Sequence, residues 1–387
     1  MQIALFIYGL TGGGATRRVV TLAEGWAQEG HDVRLIVVDP SGPLKERILK
    51  GPLKLVPLSF GVWTPWVRKL SRRQRTFWAR WPLARYLRED PPDVFLSAAN
   101  HAHLSALAAR RKGAPQVPLV LRLSNHVRAS LLRKKGLKGL KGRFRLASVK
   151  KRYPEADFIV GVSQGILDDL LSLIPYPRER TRVIYNPIDV FEIQKRAQEP
   201  VDHPWLKEKS CPVILGAGRL SPQKDFATLI KAVARLRKRR PVRLIILGEG
   251  KQRRRLEALA VELGIKEAVD LPGFSPNPWA YMARADLFVL SSRWEGLPGV
   301  LLEALACGCP VVSTDCPSGP REILDHGRLG PLVPVGDVAA LARAMEQVLE
   351  NPPAPAVLTK RAQDFDVSQA VKAYLEVFEQ VVRADVG

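Results

Sequence analysis

Short apolar runs alternate with helix-like stretches along the whole chain, and that alternation constrains the fold more than any other feature. In the first half the runs fall at residues 3–8, 33–38, 53–58, 94–97, 119–123, 158–162 and 183–185. The pattern restarts at 213–215 and continues at 243–247, 269–271, 287–290, 311–313 and 332–335. Strands that are apolar nearly throughout are buried on both faces, hence parallel and covered by helices. At 387 residues the chain has room for two full cores. The expected architecture is α/β, with two doubly wound, Rossmann-like parallel-sheet domains at residues 1–188 and 204–365 and a central cleft at the carboxyl ends of their strands. The polar, proline-punctuated segment 189–203 is expected to be the linker.

Residues 291–312 carry the most informative chemistry. They place Glu295 and Glu303 around a turn containing Gly296, Pro298 and Gly299, between two apolar runs. The run at 287–290 delivers Glu295 to a strand's carboxyl end, and the glycines let backbone approach a ligand closely. From Val300 onward the pattern is helical, with Glu303 about one turn in. Unpaired amides at such a helix start favour phosphate, and a carboxylate one turn deeper accepts from ribose hydroxyls. The segment therefore suits an anionic, hydroxyl-rich ligand.

The spacing of eight between these glutamates, with its flanking sequence, resembles the retaining GT-B glycosyltransferases of family 4, the bacterial group 1 enzymes. The resemblance extends to Gly216-Ala-Gly-Arg-Leu-Ser-Pro-Gln-Lys-Asp225, Leu247-Gly-Glu-Gly250, Leu271-Pro-Gly-Phe274 and Gly336-Asp337. It implies a GT-B fold whose final helix, residues 366–387, crosses back onto the first domain. It further implies a hexosyltransferase using a nucleotide-sugar donor, most simply UDP-linked, with no metal and no other cofactor. Arg219 and Lys224 follow the 213–215 run through a glycine turn, so they reach the cleft rim and would neutralise a departing diphosphate. On position alone they also fit two surface cations of a cation-rich chain. In the resemblance Glu303 holds ribose, while Glu295 with the amides of Gly296, Leu297 and Gly299 orients the sugar. Base recognition falls near Gly273 and Phe274. Gly12, Gly13 and Gly14 meet the donor diphosphate and acceptor, and His101 with Asn100 lies beside the transferred sugar. The run 119–123 ends in a second polar cluster, from which Arg122 and Asn125 are expected to face the acceptor.

Several motifs lead elsewhere and fail on their surroundings. Gly12-Gly-Gly14 lacks the spacing of a dinucleotide fingerprint and the Lys-Ser/Thr of a phosphate loop. Gly161-Val-Ser-Gln-Gly165 matches a nucleophile elbow, with His326 as a conceivable partner, but a hydrolase leaves Glu295, Glu303, Arg219 and Lys224 unexplained. A helix-capping Ser163 accounts for the same pattern. Cys307, Cys309 and Cys316 cluster without a fourth ligand and read as small buried thiols, and His101 with His103 is too small a set for a metal. His103 is taken as incidental. Asp364-Phe-Asp366 is read as a cap or surface pair.

Charge is the outlier in composition, 60 Lys+Arg against 38 Asp+Glu for a formal +22. Such an excess implies an anionic partner. Segment 128–152 holds eleven cations and no acid, interleaved with Leu131, Leu132, Leu137, Leu140, Phe144, Leu146 and Val149, and segment 68–75 lies among Trp63, Trp66, Phe77 and Trp78. Basic surface with apolar teeth suits an anionic lipid surface. The amino terminus reads as a first strand rather than a signal peptide, and no apolar stretch is long enough to span a bilayer. The expectation is a cytoplasmic enzyme on the inner face of the membrane, acting on a lipid-linked or envelope glycan. The alternatives are a sugar-nucleotide epimerase of the same fold and a basic nucleic-acid binder; carboxylates in the cleft argue against the latter.

Overall fold

A strand forms at each of these apolar runs, and every pairing between strands is parallel. The computed structural model describes residues 1–128 and 137–384. The chain divides into one unit of Met1–Pro187 with Val367–Gly387 and a second of Ile188–Asp366. In the first, β1 (Gln2–Gly9), β2 (Asp32–Asp39), β3 (Lys54–Pro57), β4 (Val94–Ser97), β5 (Leu119–Leu123), β6 (Phe158–Gly161) and β7 (Thr181–Val183) lie in the order β3-β2-β1-β4-β5-β6-β7. In the second, β8 (Val213–Ala217), β9 (Arg243–Leu247), β10 (Val269–Gly273), β11 (Leu287–Leu290), β12 (Val311–Thr314) and β13 (Leu332–Val333) lie in the order β10-β9-β8-β11-β12-β13. Central strands are wholly buried and the edge strands β3 and β7 are not, as helices on both faces require. In each sheet the order reverses once, between β1 and β4 and between β8 and β11, and loops leaving the two strands at such a point splay apart to leave a crevice.

The core of the first unit depends on the chain's last helix, Val367–Ala384. Its apolar stripe inserts Val371, Tyr374, Val377, Phe378 and Val381 among residues of β1, β2 and the helix Gly14–Gln28. Trp26 meets Tyr374 and Phe378 edge-on, with ring centroids 5.4 and 5.1 Å apart. The helices approach closely because Gly25 has no side chain; a Cβ there would sit 2.4 Å from Val371 Cγ2.

The segment expected to be a linker is not one. Residues 190–197 form a helix, Val190–Ala197, whose N-cap Asp189 accepts from Glu192 N at 2.8 Å, and Val190, Ile193 and Ala197 are buried in the second unit. A carboxylate three residues before Glu192 is a start signal, and it overrides the polar look of the segment. No helix among the described residues is long and apolar enough to cross a membrane.

Candidate functional site

The crevice of the second unit is built from the loops that leave β8 and β11. The β8 loop turns at Gly218 and ends at Asp225, whose left-handed backbone, φ 47°, starts the helix Phe226–Leu236. From this loop Lys224 Nζ reaches Glu295 Oε1 at 2.7 Å. Glu295 is buried, at 8 % exposure, and accepts also from Ser292 Oγ at 2.7 Å and Gln223 Nε2 at 3.3 Å. A second ion pair, Arg293 Nε to Asp225 Oδ2 at 2.9 Å, ties the same two loops, as do bonds from Arg293 N to the Gln223 carbonyl and from Ser291 Oγ to the Lys224 carbonyl. Two residues expected in separate roles, Lys224 on a phosphate and Glu295 on a sugar, are thus one buried pair. Arg219 projects from the same loop, exposed and without a carboxylate partner among the described residues.

The turn after Glu295 is shaped by a third loop, after β12. Ser318, itself left-handed at φ 55°, donates to the carbonyls of Glu295 and Gly296 at 3.2 and 3.0 Å. Gly319 lies so close that a Cβ would fall 2.6 Å from Pro298 Cδ. Gly296, Leu297 and Gly299 are buried, and Gly299 opens the helix Gly299–Ala306, which carries half-buried Glu303 one turn in. The loops after β8, β9 and β10 are stitched by backbone, Gly218 N to the Leu247 carbonyl at 2.9 Å and Gly248 N to the Gly273 carbonyl at 2.7 Å. Gly273 is left-handed, φ 99°, and presents Phe274 at 69 % exposure. Gln223, Ser292 and Ser318 hold this site and had no signal of their own in the sequence. Gln223 sits inside the 216–225 motif and Ser292 three residues before Glu295, but only the fold shows what they touch.

In the first unit the loops leaving β1 and β4 flank the corresponding reversal. Gly12, Gly13 and Gly14 lead into the helix Gly14–Gln28, with exposed Gly13 as its N-cap; none is left-handed, and a Cβ on Gly13 would meet nothing within 4 Å. Backbone strain therefore does not require glycine in this loop, although a Cβ on Gly12 would lie 3.0 Å from Pro43 Cγ. Asn100 joins the β4 and β5 loops by accepting from Ser124 N at 2.9 Å and donating to the Asn125 carbonyl at 2.9 Å. Asn125 is exposed. Arg122 is a correction: at 2 % exposure it lies inside the unit, donating to the Ala98 carbonyl and to Asn186 Oδ1, so it cannot meet an acceptor. It belongs to β5, which is covered on both faces, rather than to the loop beyond it.

His101 accepts from Arg72 Nη2 at 3.3 Å, and burial, then Arg72, Arg145 and Arg73, lower its pKa to about 4. It is a neutral imidazole at pH 7. His103 is a core residue, bonded to Ser97 Oγ at 2.8 Å, with its pKa pushed down to about 3, chiefly by burial. Its folded pKa lies below the unfolded 6.5, so as pH falls below 6.5 the unfolded chain takes up a proton that the folded chain refuses. Stability is therefore expected to decline from pH 6.5 toward 3, with His103→Gln removing roughly one proton, about 1.4 kcal/mol per pH unit, from the slope. Urea midpoints at pH 7 and 5 check this; equal slopes in both proteins would refute it.

Ser163 is also corrected. It is the N-cap of the helix Gln164–Leu171 by backbone, but its hydroxyl makes no cap bond and is wholly buried without a partner among the described residues. A covered hydroxyl is no nucleophile either. The four cysteines are free thiols, and burial raises Cys307 and Cys316 to about 12. No grouping of three metal-ligating side chains occurs among the described residues.

Of the cations expected to face a membrane, Arg75 pairs with Asp39 at 3.6 Å, Arg128 lies against Asp169, and Arg152 pairs with Glu155 at 2.6 Å. Arg133, Lys134 and Lys135 of segment 128–152 lie outside the described residues, as do Leu131 and Leu132 and the side chains of Arg68, Trp63, Leu137, Lys138, Leu140 and Lys141. Trp66, Phe77, Trp78 and Trp81 form one exposed aromatic cluster, with Trp78 and Trp81 stacked at 4.8 Å and the Arg80 guanidinium over the Phe77 and Trp81 rings.

Residues 198–365 match the family model described as glycosyl transferases group 1, and residues 12–191 that of glycosyltransferase family 4. The Campylobacter jejuni N-acetylgalactosamine-N,N'-diacetylbacillosaminyl-diphospho-undecaprenol 4-alpha-N-acetylgalactosaminyltransferase is 33% identical over 350 residues, covering 90% of each chain. Among solved structures, the apo lipopolysaccharide outer core galactosyltransferase WaaB aligns with a TM-score of 0.73 at 21% identity, over 98% of this chain and 99% of that one. Anabaena HepE in complex with UDP and glucose aligns with a TM-score of 0.75 at 20% identity, over 98% of this chain and 100% of that one. At these identities the structural likeness speaks for the fold.

Proposed function

The chain belongs to the group 1 glycosyltransferases of family 4, and from that premise we propose that it transfers a hexosyl group from a nucleotide sugar, UDP-linked, to a lipid-linked glycan with retention of configuration. The observation that carries this reading is the Lys224–Glu295 pair at the β8/β11 reversal, with Arg219 on the same loop and Glu303 one turn into the helix that follows. As the sugar bond breaks, negative charge grows on the departing diphosphate, and Arg219 and Lys224 are cations placed to meet it without a metal. The second unit holds the donor, Glu303 accepting from ribose and Phe274 lying against the base. The first unit meets the acceptor and transferred sugar through Gly12–Gly14, Asn100, His101 and Asn125. The relatives support the acceptor class and the donor: one is named for a diphospho-undecaprenol substrate, and one solved neighbour holds UDP. The exposed aromatic cluster and the basic residues around it support contact with an anionic membrane surface, where such a substrate resides.

A thermal-shift panel of UDP, GDP, ADP and their sugar conjugates tests the donor half. At 100 times Kd a ligand stabilises by about 2.7 kcal/mol, so UDP and one UDP-sugar should shift the melting transition and Glu303→Ala should abolish the shift. A shift by GDP or ADP alone would overturn the UDP assignment, and an undiminished shift in Glu303→Ala the role of that carboxylate.

A further inference from the structure

Between Glu46 and Glu155 the acidic residues are confined to Glu89, Asp90 and Asp93. Within that stretch the helices Arg72–Trp78 and Leu137–Arg152 both pack on the helix His103–Gly113, and so carry cations from both basic segments to the loop after β4. Arg72 donates to His101 Nε2 and its guanidinium lies 4.5 Å from the centroid of the Tyr8 ring, itself 6.2 Å from the His101 ring. Arg73 and Arg145 complete the group, each near enough to His101 to disfavour its protonation, and Arg73 near enough to Arg145 to act on it likewise. None of these three arginines has a carboxylate partner among the described residues, whereas nearby Arg75, Arg110 and Arg152 pair with Asp39, Asp157 and Glu155. Arg72 and Arg73 are exposed and Arg145 is half-buried, and these three guanidiniums, gathered about a neutral imidazole without counter-charge, repel one another. An arriving anion relieves that repulsion, and the planar fork of arginine grips phosphate oxygens two at a time.

We propose that Arg72, Arg73 and Arg145 form an anion site beside His101 that takes a phosphate or diphosphate group. Its residues all belong to the first unit, whereas Arg219 and Lys224 belong to the second. Its occupant is the diphosphate of a lipid-linked acceptor; that identification rests on the glycosyl-transfer reading, while anion binding itself does not. A phospholipid headgroup is the other source of the same chemistry.

His101 is the reporter, because an anion among these arginines restores favour to its charged form. The full-length protein, labelled at histidine, would be titrated by NMR alone and with inorganic pyrophosphate, geranyl diphosphate or phosphatidylglycerol vesicles. Pyrophosphate is expected to raise the His101 midpoint from about 4 by about one pH unit or more. Arg219→Ala should keep that shift, Arg72→Gln/Arg145→Gln should lose it, and the corresponding lysine pair, which keeps the charge, should retain part. A shift with geranyl diphosphate but not vesicles assigns the acceptor linkage; a shift with vesicles alone replaces it with the headgroup. An unmoved midpoint with every probe, or an equal shift in the glutamine pair, overturns the site. The UDP thermal shift is independent of this result, so failure of the donor reading would be seen separately.

Discussion

Lys224→Ala is expected to lower kcat by about 10²–10³-fold, the loss found when one preorganised charge-stabilising donor is removed, and to destabilise the second unit as well. The stability effect follows from the pair itself. Glu295 is buried and its Oε1 accepts from Lys224 Nζ at 2.7 Å. Deleting one partner of a buried pair leaves the other charge uncompensated, at about 3–5 kcal/mol. The two consequences separate in Lys224→Ala/Glu295→Gln, where the amide stays within reach of Ser292 and Gln223 and carries no charge. The double variant should recover most of the lost melting temperature and almost none of the lost turnover. Recovery of both would mean that Lys224 serves only to neutralise Glu295, and the phosphate role would pass to Arg219 alone.

This pair also shows where a sequence stops being informative. The strands were legible because their physical signal is local: a few consecutive apolar residues suffice to mark a buried strand, and each marked run forms one. The turn and helix start within 291–312 were legible because two glycines and a proline lie within a few residues of each other. What Lys224 and Glu295 do together was not, since 71 residues separate them and only the strand order brings their loops together. Arg122 misled for the opposite reason. A charged residue near the end of an apolar run reads as the first loop residue, yet β5 is covered on both faces and Asn186, 64 residues on, supplies the polar partner that lets a guanidinium stay inside. The helix Val190–Ala197 was signalled locally by Asp189 and Glu192, but the prolines around it outweighed the cap. The two basic segments were each legible as cationic. Their meeting at His101 was not, because it depends on two helices packing against a third.

The fragment 1–187 is expected not to fold, although it contains all seven strands of its sheet. The reason is the missing helix Val367–Ala384, whose Val371, Tyr374, Val377, Phe378 and Val381 are all buried in the first unit's core. Truncating one large core side chain costs about 2–5 kcal/mol. Losing five at once, about 10–25 kcal/mol, matches or outweighs the roughly 5–15 kcal/mol that separates a folded domain from its unfolded chain, and it leaves Trp26 without both of its ring partners. Far-UV and near-UV circular dichroism should show a fragment with helix content but no fixed aromatic environment and no cooperative transition. The cure follows from the chain's crossing points. Ile188 pairs with Asp366 as an isolated parallel bridge, and Ile188 N donates to the Phe365 carbonyl at 2.9 Å. Pro187 and Val367, the next residues on either side, are therefore near neighbours, and a short Gly/Ser linker joining 1–187 directly to 367–387 should restore a cooperative transition and the near-UV signal. A fully cooperative 1–187 fragment would show that the last helix is an accessory; failure of the joined protein would show that the first unit needs the second in order to fold.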